Sequence, residues 1–200
     1  MTDPSPPRPG RPRGQNAASH AVIMQAVYDL LQERSVRDLT MEAVAKRAGV
    51  GKPTLYKWWP SKAALVFAMF HERLVIAPHM PPSASAETAL RARIAHLIAA
   101  LNGPFGKVMA DLIAEGQGEP AVLRELYERL IAPRRASTVA DVERGKSAGE
   151  FAIGINPELL LDAIFGPIYY RLLVRHAPLT ERYGDELVAQ VLRGARPRAV

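Results

Sequence analysis

Residues 49–57 read Gly-Val-Gly-Lys-Pro-Thr-Leu-Tyr-Lys, and two chemistries use a lysine beside paired glycines. One is the phosphate-cradling loop of a nucleotide-binding enzyme. That loop requires glycine where this chain has Lys46, and Ser or Thr where it has Pro53; no strand pattern precedes it. Nucleotide chemistry is therefore excluded here. The other is recognition of a polyanion. Lys52, Thr54, Tyr56 and Lys57 fall on the exposed sides of a short helix, where a helix serving only as core carries apolar groups. A lysine ammonium bonds guanine acceptors or phosphate, and a threonine methyl packs on a thymine methyl.

The charge distribution agrees with a polyanionic partner. The chain of 200 residues has a formal net charge of +6. Residues 1–62 hold ten Lys/Arg against five Asp/Glu, so the basic excess sits almost wholly in the first third. There is no cysteine, which removes disulfides, thiolate metal sites and cysteine nucleophiles, and suits a reducing cytoplasm. His96 has no histidine one helical turn away, and His71 and His79 are too far apart in sequence to share a metal. With no nucleophile elbow either, the expectation is a protein that is not an enzyme and carries no cofactor or metal. No apolar run spans a bilayer, and the first residues lack a secretory pattern, so a cytoplasmic protein without membrane contact is expected.

These side chains need helices to hold them. Thr40 is an N-cap for a helix over 41–48, Glu42 lies in its first turn and Gly49 stands where a left-handed residue stops it. A second short helix runs over 52–58 with Pro53 in its first turn. Val22, Ile23, Ala26, Val27, Leu30 and Leu31 mark a bracing helix before them, and a longer helix over 62–76 follows Pro60-Ser61. Val44, Ala45 and Ala48 are placed to pack on Leu55 and Trp59.

Further helices are expected over 86–101, 104–115, 120–146 (kinked at Pro133), 156–176 and 180–192, with a loop over 145–154 and frayed residues 194–200. Nothing alternates with period two. The fold class is all-α: an N-terminal three-helix domain with the helix-turn-helix geometry of a DNA reader, and a C-terminal helical bundle. Its expected divisions are a disordered basic arm over 1–15, a DNA-binding domain over 16–62, a linking helix over 62–77 and a C-terminal domain over 78–200. The Pro/Ser-rich stretch 78–85 marks the boundary.

The run from Leu39 to Lys62, LTMEAVAKRAGVGKPTLYKWWPSK, resembles the DNA-binding signature of the tetracycline-repressor (TetR) family, filled in register. Gly10-Arg11-Pro12-Arg13 resembles the basic arm that many members carry, and residues 157–179 resemble the C-terminal domain of one subset. The resemblance implies a recognition helix that starts at Lys52, Pro53 and Thr54, with Tyr56 and Lys57 on phosphate and Trp58 at the groove edge. It also gives Thr40 a phosphate at its helix N-terminus, and Lys62 the far side of the groove. Arg11 and Arg13 would enter an A·T-rich minor groove.

The same resemblance implies a repressor acting as a homodimer on a pseudo-palindromic operator in double-stranded DNA. Its dimer interface would be the last two helices, through Leu159, Leu160, Ala163, Ile164, Pro167 and Ile168 with Leu187, Val188, Val191 and Leu192. A small hydrophobic ligand would occupy a pocket lined by Phe67, Phe70, Leu97, Phe105, Met109, Leu112, Ile113, Tyr127, Phe165 and Tyr169, with His96 as a polar anchor. The alternative is an architectural DNA-binding protein with no ligand, which shares the basic first third but has no use for so large a C-terminal part.

Overall fold

The computed structural model describes residues 13–73 and 84–197, and every regular element among them is helical. Helix α1 (Arg13–Glu33) is followed by α2 (Met41–Ala48), α3 (Lys52–Trp58) and α4 (Lys62–Arg73). The C-terminal part holds α5 (Ala86–Leu101), α6 (Pro104–Gly118), α7 (Pro120–Leu126), a π turn (Tyr127–Ile131), α8 (Ala132–Ser147), α9 (Pro157–Val174) and α10 (Glu181–Arg193). No single described helix is long and apolar enough to cross a membrane.

The expected local signals act where they stand. Thr40 is extended (φ −124°), and its Oγ1 accepts the Ala43 N–H at 3.1 Å, which satisfies one orphan donor of α2. Gly49 at φ 65° reverses the chain, and its N–H closes the last turn on Ala45 and Lys46 carbonyls. Trp59 is extended (φ −131°), as a residue before proline must be, and Pro60 ends α3. Met41, Val44, Ala45 and Ala48 form the buried face of α2, and Leu55 is wholly buried beneath α3. The α2–α3 pair is thus braced from below with its polar side chains outward.

Four expectations are corrected. Helix α1 starts at Arg13, within the stretch expected to lack structure; after Pro12 no proline remains to stop a helix. The expected single helix over 120–146 is two helices joined by a π turn, and α8 runs on to Ser147. Pro133 has no N–H and its ring crowds the carbonyl four residues before it, and a widened turn relieves both. Residues 194–197 are not frayed: Ala195 is buried and its carbonyl accepts the Ala152 N–H at 2.8 Å. Helix α9 ends at Val174, short of His176, because Arg175 takes a left-handed conformation (φ 55°).

Helices α5 and α6 meet at 84°. The close approach needs Gly106, since a Cβ there would stand 1.9 Å from the Leu101 carbonyl oxygen. One apolar core runs on from α1 through α10, so the two halves share packing as well as polar ties. Those ties cluster on α6 and α7: Asp111 accepts the Val36 N–H at 3.2 Å, and Lys107 reaches the Arg34 carbonyl at 3.3 Å.

Candidate nucleic-acid interface and ligand cavity

The α2–α3 face presents Thr40, Lys52, Pro53, Tyr56 and Lys57 to solvent, while Thr54 is half-buried. Tyr56 is 51% exposed, unusual for an aromatic with a packed helix behind it. Lys52 pairs with Glu42 across the helix turn, and that ion pair holds the Glu42 carboxyl below the usual carboxylate range. Lys52 thus carries its own intramolecular counter-anion. Trp58 is half-buried in a ring cluster: its centroid lies 5.5 Å from His20 and 5.4 Å from Trp59, and His20 bonds Glu72 at 2.6 Å. Its indole packs against the core and is in part accessible to solvent. Leu55 and Trp59 pack inward as expected. Arg11 lies outside the described residues, as does the side chain of Arg13.

Lys62 does not join this surface. Its ammonium bonds the Val36 carbonyl at 2.9 Å, the Arg37 carbonyl at 3.4 Å and Glu115 Oε1 at 2.9 Å. Three donors meet three acceptors, leaving none for a phosphate. The expected phosphate contact is replaced by a clasp between the start of α4, the α1–α2 connection and α6. Ser61 adds to it by donating to Glu125 Oε2 at 3.1 Å while capping α4 through the Ala64 N–H at 3.0 Å. Sequence spacing carries no sign of this, because Glu115 lies 53 residues away.

The second feature is a cavity of about 400 Å³ between α5, α6, the π turn, α8 and α9. Of the expected lining, Leu97, Phe105, Met109, Phe165 and Tyr169 face it. Phe67, Phe70 and Leu112 are instead buried core, with Phe70 edge-on to Phe105 at 5.1 Å. Tyr127 points to solvent, 52% exposed, and Ile113 packs on the core away from the cavity. The π turn explains Tyr127: the wide turn aims Leu130 and Ile131 inward in its place.

The polar lining was mostly missed. Arg93, Arg134, Arg135, Thr138 and Asp162 join His96 at the wall. Arg93 pairs with Asp141 (2.7 Å), which also holds Arg144 (2.8 Å), and Arg135 pairs with Asp162 (2.8 Å) and Glu158. Arg134 donates to the Leu130 carbonyl at 2.5 Å; burial lowers its pKa, partly offset by Tyr169 nearby. Burial raises the Tyr169 phenol, so it stays protonated and able to donate. The only sequence signal was a pair of arginines after Pro133, which reads equally as a solvated helix start.

On the remaining face of α9 lie Leu159, Tyr170, Leu173 and Val174, all large, apolar and exposed. The stripe expected there divides. Leu160, Ile164, Ile168, Val188 and Leu192 are buried within the chain, whereas Leu159 and Ala163 remain outside, with Pro167, Leu187 and Val191 between.

A helix-turn-helix with a basic outer face, carried on a helical body that encloses an apolar cavity, defines a DNA-binding regulator. Residues 23–69 match the model of bacterial regulatory proteins of the tetR family, and residues 80–191 the tetracyclin repressor-like C-terminal domain. The chain is 32% identical over 187 residues to the HTH-type transcriptional regulator YdeS of Bacillus subtilis, covering 94% of this chain and 93% of that one. It is 27% identical over 189 residues to the HTH-type transcriptional regulator Rv1556 of Mycobacterium tuberculosis, covering 94% and 90%. Among solved structures, the TetR family transcription regulator SCO0332 is similar with a TM-score of 0.71 and 29% identity, covering 90% of this chain and 99% of that one. The chain belongs to the TetR family of transcriptional regulators.

Proposed function

We propose that this protein is a homodimeric repressor that a small, largely apolar ligand releases from a pseudo-palindromic operator. The DNA-binding domain is residues 16–62, α4 is the link, and residues 78–200 bind ligand and dimerise. Thr40, Lys52, Pro53, Thr54, Tyr56, Lys57 and Trp58 meet DNA, with Lys52 and Thr54 at base edges and Tyr56 and Lys57 on phosphates. The exposed face of α9 pairs with its copy through Leu159, Ala163, Tyr170, Leu173 and Val174.

One observation carries the ligand-responsive part: α6 serves both the cavity and the DNA-reading half. Phe105 and Met109 line the cavity, while Asp111 and Glu115, further along the same helix, hold Val36 and Lys62. A helix is stiff along its axis, so a ligand that displaces Met109 displaces the clasp. Two recognition helices must sit about 34–36 Å apart, or a multiple, to read successive half-sites. A ligand preferring a conformer with another spacing then lowers DNA affinity, in proportion to that preference.

The test is a mobility shift on the DNA upstream of the protein's own gene, with and without candidate apolar ligands. Specific retardation of that fragment, reversed by a ligand that also raises the melting temperature, is the expected result. Equal retardation of all fragments, insensitive to every ligand that binds, would instead support an architectural DNA binder.

A further inference from the structure

We infer that the ligand is an anionic amphiphile, a carboxylate on an apolar body, with its head group seated against Arg134 and His96. This rests on reading the cavity as a ligand site and names the class of ligand. Among the described residues three arginines line the wall, and two already have carboxylate partners: Arg93 has Asp141, which it shares with Arg144, and Arg135 has Asp162 and Glu158. Among the described residues no carboxylate pairs with Arg134, whose one hydrogen bond is to the Leu130 carbonyl. A guanidinium has five N–H donors in a planar fork that fits a carboxylate with two parallel bonds, so most of its donor capacity is unused.

The second observation is independent of charge. His96 Nε2 is buried and has no hydrogen-bond partner among the described residues. A buried ring nitrogen with nothing to bond is uncommon and calls for a partner, and the cavity is where His96 faces. The protonated Tyr169 phenol adds a donor close to Arg134. Thr138 contributes none, because its hydroxyl donates to the Arg134 carbonyl at 2.8 Å. Most of the remaining wall is apolar, including Leu97, Phe105, Met109 and Phe165. A cation in such surroundings is destabilised until an anion joins it. A neutral apolar ligand leaves that cation as it was, and an ammonium ligand adds a like charge.

The test uses the full-length protein and three probes that share one alkyl chain: decanoate, 1-decanol and decylammonium. Binding is followed by titration calorimetry at a single pH and salt. Decanoate should bind about ten- to a hundredfold tighter than decanol, the span of one charge-assisted interaction, and decylammonium weakest. Arg134→Met should bring decanoate down to the affinity of decanol and leave decanol unchanged. Arg134→Lys, which keeps the charge and loses the fork, should fall between. His96→Phe should weaken decanoate several-fold and spare decanol. This variant carries the test alone if Arg134→Met loses helicity by circular dichroism. Equal binding of decanoate and decanol, or indifference of both variants, overturns the anionic head and leaves the ligand cavity standing. Failure of all three probes to bind overturns both readings at once.

Discussion

Lys62→Met tests the clasp that ties the start of α4 to the α1–α2 connection and to α6. The substitution keeps the length of the stem and removes the ammonium. It removes a donor from the Arg37 carbonyl, leaves the Val36 carbonyl with the Leu39 N–H, and strands Glu115, whose Oε2 already lacks a partner. Removing one partner from a fully buried ion pair costs about 3–5 kcal/mol. Here the side chains of Lys62 and Glu115 are 25% and 18% exposed, so water recovers part of that, and about 2–3 kcal/mol is expected. For a chain of this size that corresponds to roughly 4–12 °C in melting temperature. Far-UV circular dichroism at fixed protein concentration measures it. Lys62→Met/Glu115→Met should recover most of the loss, because two apolar side chains leave neither charge stranded. The coupling from the double-mutant cycle should reach about 1–3 kcal/mol. DNA binding gives the opposing outcome a clear signature. A lysine on phosphate contributes about 0.9 to the slope of log affinity against log salt. The clasp predicts an unchanged slope for Lys62→Met. Additive single substitutions, with a slope lowered by about one per subunit, would return Lys62 to the DNA and refute the clasp.

Glu42→Gln removes the counter-anion of Lys52, so DNA of every sequence should bind tighter, with a steeper salt dependence; a fluorescence-anisotropy titration at two salt concentrations reads both. Because Lys52 lowers the Glu42 pKa, the pair's contribution to stability is present above the ordinary carboxylate range. It is lost only as pH falls through the lowered value, so wild type and Glu42→Gln should differ at neutral pH and converge in acid. Gly49→Ala meets no neighbour but holds a left-handed backbone, so a loss of about 1–2 kcal/mol is expected in denaturant melts, less for Gly49→Asn. Leu159→Glu/Leu173→Glu should leave helicity intact and yield monomers by ultracentrifugation at micromolar concentration; an undisturbed dimer would move the interface off α9. Lys52→Ala should relax preference at one base pair by about 1–3 kcal/mol, measured by competition with single-site operator variants.

The DNA-reading half was legible because its determinants are local. Thr40, Gly49, Pro53 and Pro60 each act within a few residues of themselves, and α2 and α3 begin and end where those residues dictate. The apolar spacing also named Leu55 and Trp59 as the packing side. The cavity was half legible. Phe105, Met109, Phe165 and Tyr169 belong to helices whose inward faces follow a simple period. Tyr127 failed because the π turn breaks that period by one residue, and Arg134 went unseen because an arginine after a proline reads as surface. Lys62 failed for a different reason: its partner comes from a remote helix, and only tertiary geometry can say which acceptor an ammonium finds first.

The π turn joins these two failures physically. An α-helical continuation through Pro133 would press its ring on the Arg129 carbonyl; the wider turn avoids that and leaves the Leu130 carbonyl for the Arg134 side chain to bond. The same turn carries Leu130 and Ile131 into the cavity wall and sets Arg134 beside Tyr169. A proline that a sequence reading treats as a kink therefore fixes where Arg134, the one arginine among the described cavity residues without a carboxylate partner, stands. Phe105 and Met109, which line the same cavity, sit on α6, whose later residues grip Lys62 and Val36. An anion drawn to Arg134 must lie against α6 to fill the cavity. On the proposed reading, the charge that selects the ligand and the helix that reports it line one cavity.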